Sequence, residues 1–270
     1  KNTEDNSTVE AFYLSGAGAQ ELVVTNPDEP TLPLEIYNVG QSGTVLRGVG
    51  FRGGSFTDLA DKLPLSGAPT TELRGVHIPF ISRVFYPVQP WRVNYFDDLL
   101  GNDPLLLLTP AQFMTDFGSP GAQLGTMRRF DDMTFRLYYS DNTTDFGGGI
   151  IPALAAPPTI ASIEAVPDTS SIDFSIDVVG YPAAGIQEVW VTYTDGGGEW
   201  LPFDLTRSAD SRRWTGTLAL PGGTDPCDIQ FMVQAVNGVG LVALNTNLGA
   251  YHTPCQPDPA EPTTLDPITV

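Results

Sequence analysis

Cationic side chains are scarce in this 270-residue chain: 13 Lys and Arg stand against 32 Asp and Glu, a formal charge of −19. Such a surface repels phosphate backbones, and no Lys/Arg cluster is present to release counterions, so no nucleic acid partner is expected. An anionic membrane surface is excluded by the same sign. Long apolar runs are missing as well. The strongest, Leu105 to Leu108, is flanked by Pro104 and Thr109-Pro110, far short of the roughly 20 residues of a membrane helix, so no membrane insertion is expected. Titratable bases are few: His77, His252 and the lysines Lys1 and Lys62. There is no G-x-S-x-G elbow, no H-E-x-x-H helix and no G-x-x-x-x-G-K-[ST] loop, and no catalytic residue is assigned.

Glycine and proline, by contrast, are plentiful, with 28 and 24 positions against usual shares of roughly 7% and 5%. With 41% apolar residues, that composition describes short strands joined by turns rather than a disordered chain. Between Gly147 and Thr159 the sequence GGGIIPALAAPPT carries no charge and reads as a stiffened connection. A boundary there divides the chain into residues 1–157, net −8, and everything downstream of it, net −11, of which residues 158–256 form the second domain. Residues 257–270 then form an acidic, Pro-rich linker leading into further protein. The chain opens at Lys1 with no signal-peptide pattern and reads as a mature product or an excised segment.

Downstream of the boundary the period-2 signal is clear. Ile172, Phe174, Ile176 and Val178 alternate with Asp173, Ser175 and Asp177, which puts the apolar set on one face of a strand. Val189, Val191 and Tyr193 repeat the pattern, then Trp214, Gly216, Leu218 and Leu220, then Ile229, Phe231, Val233 and Ala235. Turn residues separate these runs at Gly180-Tyr181-Pro182, Asp195 to Gly198, Pro221-Gly222-Gly223 and Asn237-Gly238. About seven strands in roughly 100 residues is the count of an immunoglobulin-like sandwich. The run Phe231-Met232-Val233-Gln234-Ala235-Val236-Asn237-Gly238-Val239-Gly240 resembles the penultimate strand and last hairpin of immunoglobulin-like or fibronectin type III-like modules of large secreted bacterial proteins. Asn237 stands where those modules commonly have Asp. The resemblance covers Thr159 to about Cys255. Trp190 lies in the third strand, where such sandwiches place a core Trp, yet alternation sets it opposite Val189, Val191 and Tyr193. Either Trp190 or that trio is expected to face out.

Upstream, candidate strands are Val9–Leu14, Glu21–Thr25, Leu34–Tyr37, Thr44–Phe51, Leu73–Ile81, Arg83–Val88, Arg92–Phe96 and Met133–Tyr139. One short helix is signalled by Thr109 as N-cap, Pro110 at the first helical position and Gln112 at the reciprocal capping position, running to about Asp116. The expected fold is therefore all-β: two sandwich-like domains, the first carrying a short helical insertion and the second immunoglobulin/fibronectin III-like.

Cys227 and Cys255 flank the last strands and read as a disulfide stapling the C-terminal segment; the competing account is two buried thiols. Asp141, Asn142 and Asp145, beside Gly147 to Gly149, offer oxygen ligands for calcium, against an ordinary polar turn. Trp91, after Pro90 near a turn, and Tyr95 are the candidates for an exposed aromatic platform that would stack on polysaccharide, against core packing. Asp97-Asp98 and Asp131-Asp132 are paired carboxylates, and a cleft uniting Asp97, Asp131 and His77 would favour a hydrolase. The leading expectation is a non-catalytic accessory or spacer segment of a larger secreted or cell-surface protein, with neighbouring domains of that protein as partners. The alternatives are a carbohydrate-binding module of a secreted hydrolase and a hydrolase with a carboxylate site in residues 1–157.

Overall fold

Alternating and β-branched runs dominate this sequence, and they fold as strands wherever the chain is described. The structure is a computed structural model describing residues 22–24, 29–64, 66, 80–98, 101–117, 124–140, 156–182, 184–209 and 212–255. In chain order the strands are β1 (Leu22–Val24), β2 (Leu32–Asn38), β3 (Val45–Lys62), β4 (Trp91–Asp98), β5 (Gly101–Leu108), β6 (Ala111–Thr115), β7 (Gly125–Phe130) and β8 (Thr134–Ser140). They continue with β9 (Thr159–Pro167), β10 (Ser171–Val179), β11 (Ile186–Thr194), β12 (Glu199–Asp204), β13 (Thr206–Arg207), β14 (Arg213–Ala219), β15 (Gln230–Asn237) and β16 (Val242–Asn245). The expected strands Val9–Leu14 and Leu73–Ile81 fall wholly or largely outside the described residues.

Three sheets stack on one another. An outer sheet has the order β13-β14-β10-β9, a second outer sheet the order β1-β2-β5-β4, and a long central array runs β16-β15-β11-β12-β3-β7-β6 with β8 also paired to β3. Every paired strand is antiparallel, as hairpin connections allow. Ile172, Phe174, Ile176 and Val178 of β10 are buried while Asp173 is exposed, as the alternation requires. They pack with Trp214 and Leu218 of β14 against Val189 and Val191 of β11 and Phe231, Val233 and Ala235 of β15.

The opposite face of β11 and β15 is buried too. Trp190, Thr192, Met232, Gln234 and Val236 are all buried, covered by β3 and β8. This corrects the expectation that Trp190 or its opposite trio faces out: a strand covered on both sides needs no polar face. Gly48 and Gly50 allow β3 to approach that closely. A Cβ on Gly50 would lie 2.6 Å from the Trp190 ring, and one on Gly48 would lie 2.4 Å from the Gly240 carbonyl oxygen. The Phe51 peptide, directly after Gly50, is gripped by side chains of the other layer. Its N–H donates to Gln234 Oε1 at 2.9 Å, and its carbonyl accepts from Gln234 Nε2 at 2.8 Å, Trp190 Nε1 at 3.1 Å and Thr192 Oγ1 at 3.1 Å.

The Phe51 ring turns the other way, into a second core. It stacks on Trp91 with centroids 5.1 Å apart and meets the edge of Phe130. Leu106 and Leu108 of β5 share this core with Trp200, Met232 and Tyr251, so residues on both sides of position 157 line it. Strand pairing crosses that position as well, at Glu199↔Ser55 and Trp200↔Gly54.

The helix expected from Thr109 to Asp116 is instead strand β6, paired with β7 from Ala111↔Arg129 to Thr115↔Gly125. A helix from Pro110 to about Asp116 is too short to repay nucleation, whereas the extended form buries Ala111, Gln112, Phe113 and Thr115. Gln112 donates to the Pro87 carbonyl at 2.6 Å rather than capping a turn. Arg83–Val88, expected as a strand, is a bent segment whose backbone pairs with β6 at the isolated bridge Tyr86↔Phe113.

Gly50→Ala should lower the unfolding free energy by about 1–3 kcal/mol, the usual cost of overpacking a core. Gly222→Ala, with nothing within 4 Å of the added carbon, should stay within about 0.5 kcal/mol. Urea denaturation of the two variants and the parent measures the difference.

Candidate functional site

A strand places residues two apart on the same face, so Glu35 and Tyr37 of β2 stand side by side. The Tyr37 hydroxyl donates to Glu35 Oε2 at 2.6 Å. That hydrogen bond, reinforced by partial burial and the carboxylate charge, pushes the phenol up to about 12. The pair forms one wall of an open cleft of about 500 Å³ whose other wall is the β7–β8 connection, with Asp131, Asp132 and Met133. Leu106, Leu108 and Phe130 line it below. Tyr37 keeps 40% of its surface exposed, so the cleft carries exposed aromatic surface beside carboxylate acceptors.

Both aspartates are held by their neighbours. Asp131 accepts from Thr57 Oγ1 at 2.8 Å and from Arg129 Nε at 3.0 Å. Asp132 accepts from the backbone N–H and the hydroxyl of Ser55. These bonds fix the connection between β7 and β8 against the middle of β3. They also orient the carboxylates as acceptors, an arrangement suited to binding hydroxyl groups.

The expected hydrolytic trio is not brought together among the described residues. His77 and the Asp97 side chain lie outside them, and Asp97 is placed only as a backbone position on β4 opposite Asn102. Asp141, Asn142 and Asp145 also lie outside the described residues. Within them, no group of three or more His, Cys, Asp or Glu side chains could hold a metal ion.

Trp91, expected as an exposed platform, is 5% exposed. Its ring is spent on Phe51 and Phe135; the turn at Pro90 delivers it inward because β4 lays its first residue over the second core. Tyr95 sits on the same strand with its backbone opposite Pro104, and its side chain lies outside the described residues. Sequence reasoning missed Glu35 and Tyr37. The signal was the Glu-x-Tyr spacing inside a short strand, indistinguishable without the partner layer from a solvated face.

Cys227 and Cys255 form a disulfide. Cys227 stands in a 3-10 turn, Pro226–Asp228, whose cap Asp225 accepts from the Cys227 N–H at 2.9 Å. The bond fastens the C-terminal segment beside the start of β15. His252 completes that attachment: its backbone bridges Phe231, its ring stacks on the Phe231 ring 5.4 Å away, and Nε2 lies 3.0 Å from Asn245 Oδ1. Burial disfavours the charged imidazole and lowers its pKa below the ordinary value of 6.5.

Among the described residues no helix is long and apolar enough to cross a membrane. No family model matches the sequence, and none of the curated proteins matches it either.

The depressed His252 pKa has a definite sign. The unfolded chain binds the proton more readily, so the contribution of the neutral ring is complete above 6.5 and is lost as pH falls through the lowered folded value. His252→Asn should therefore show a weaker loss of unfolding free energy between about pH 7.5 and pH 5 than the parent. Denaturant titrations at several pH values read the two slopes, and equal slopes would contradict this role for His252.

Proposed function

We propose that this chain is a non-catalytic accessory or spacer segment of a larger secreted or cell-surface protein, with residues 159 to about 255 as its immunoglobulin- or fibronectin III-like module. The observation that carries the reading is the Phe51 joint. Four hydrogen bonds tie the Phe51 peptide of β3 to Trp190, Thr192 and Gln234, so the downstream strands are fixed to the upstream ones. A unit locked in this way holds its neighbours at a set spacing, whereas modules joined only by a linker move independently. The disulfide supports an oxidising compartment, and the net charge of −19 keeps such a unit dispersed. Calcium at Asp141, Asn142 and Asp145 belongs to the same reading as a stiffening ion.

A second reading is favoured by the Tyr37 cleft: a carbohydrate-binding module that grips polysaccharide for a catalytic neighbour. Half-exposed Tyr37 offers ring surface for a sugar's C–H face to pack on, and Glu35, Asp131 and Asp132 accept its hydroxyls.

The purified chain should turn over no substrate in a panel of glycosides, esters and peptides, with or without millimolar calcium. Hydrolysis that disappears in Asp97→Asn, Asp131→Asn or His77→Ala would overturn the non-catalytic reading.

A further inference from the structure

Arginines in so acidic a chain are expected to be neutralised, and ion pairs hold five of the ten described. Arg52, Arg128, Arg129, Arg136 and Arg213 each sit against a carboxylate at 2.5–3.1 Å. Arg92 does not: among the described residues it makes no ion pair. It lies exposed on β4, opposite Leu107, and lines a pocket of about 200 Å³ together with Arg47. No Asp or Glu lines that pocket, although acidic residues outnumber basic ones more than twofold in the chain.

Arg47 reaches the pocket through a local departure from regular pairing. The register of β3 against β8 shifts between Leu46 and Gly48, which leaves Arg47 as the extra residue. Such bulges redirect a side chain relative to the strand. Gly240 permits the new direction: a Cβ there would come within 3.1 Å of the Arg47 Cβ. Much of the remaining lining is apolar and comes from three strands or their approaches: Val49, Val93, Leu241 and Val242. Gln89 adds an amide at the rim.

We propose that this pocket is a binding site for a small organic monocarboxylate. A guanidinium fork matches the two oxygens of a carboxylate and pairs with them through parallel hydrogen bonds. The apolar walls favour a ligand with a carbon body over a bare inorganic anion. The field of a chain carrying −19 opposes a dianion about twice as strongly as a monoanion, so a phosphate ester is the poorer fit. The volume sets the size at about one ring, since pockets for larger ligands usually run to roughly 300–1,000 Å³. The site shares no lining residue with the Tyr37 cleft and does not depend on the accessory-segment reading.

Calorimetric titration of the whole chain at low ionic strength with benzoate, glucuronate, glucose and inorganic phosphate tests the proposal. Benzoate or glucuronate should bind, while glucose and phosphate should not, and binding should weaken as salt is added. Arg92→Gln should lower the affinity about tenfold, the loss of one charge-assisted hydrogen bond or more. Arg92→Lys, which keeps the charge without the fork, should fall between the two. Arg92 is exposed on an edge strand, so both variants should melt within a few degrees of the parent, and Arg47→Gln provides a second removal of charge from the same pocket. The proposal is overturned if neither carboxylate binds at tens of millimolar, if phosphate binds as tightly as they do, or if neither glutamine variant changes the affinity.

Discussion

The peptide of Phe51 is the point on which the rest of the structure turns. On one edge β3 is paired with β8, where Phe51 stands opposite Phe135. On the other edge, at this residue, a side-chain amide does the work of a strand: Gln234 accepts the N–H and donates to the carbonyl. Each such bond contributes about 0.5–1.5 kcal/mol net, but leaving the buried peptide unpaired would cost about 1–3 kcal/mol per group. The greater consequence is therefore specificity, because few other registers of β3 would satisfy this peptide. Gln234, Thr192 and Trp190 are themselves buried, and Gln234 also donates to Thr192 Oγ1 at 3.1 Å. The network is closed, and a closed polar network can be buried without penalty where a partial one cannot.

Several other features follow from seating β3 there. Its glycines are small because Trp190 and the Gly240 carbonyl already occupy the space a side chain would need. Its Phe51 ring enters the second core, which draws Trp91 inward from β4 and removes it from the surface. Further along β3, Asp58 accepts from Nε and Nη2 of Arg128, whose buried guanidinium lies between the rings of Phe56 and Phe85 at 3.9 and 4.2 Å. Removing Asp58 would strand the buried Arg128 charge, so this pair fixes register more than it adds stability. The acidic cleft and the arginine pocket both border β3 or the strands seated against it, which is how the stacked sheets acquire concave surfaces.

Much of the downstream half was legible because its physics is local. Alternation gave β10 its buried set, Asn237-Gly238 and Pro221-Gly222 marked the turns, and two cysteines flanking the last strands paired. The all-β class followed from the same signals. What failed depended on layers that no short window contains. Trp190 and Val191 could not both be inside until a third layer covered the sheet. Thr109 to Gln112 carries helix-capping chemistry, yet the pairing available from β7 and the burial of Phe113 outweigh it. Trp91 reads as a surface ring beside a turn, and only the position of Phe51, 40 residues earlier, puts it in the core. Glu35 with Tyr37 and Arg47 with Arg92 were invisible for the same reason: each grouping is made by strands distant in sequence.

Native-state hydrogen exchange at the Phe51 amide, followed by NMR in the intact chain, bears most directly on the joint. If the Phe51 peptide holds the two sets of strands together, its amide should exchange only through global unfolding, with the same denaturant dependence as the amides of Val191 in β11 and Val233 in β15. Exchange of Phe51 through a low-energy local opening, while Val191 and Val233 remain protected, would contradict the account, because the downstream strands would then stand without it.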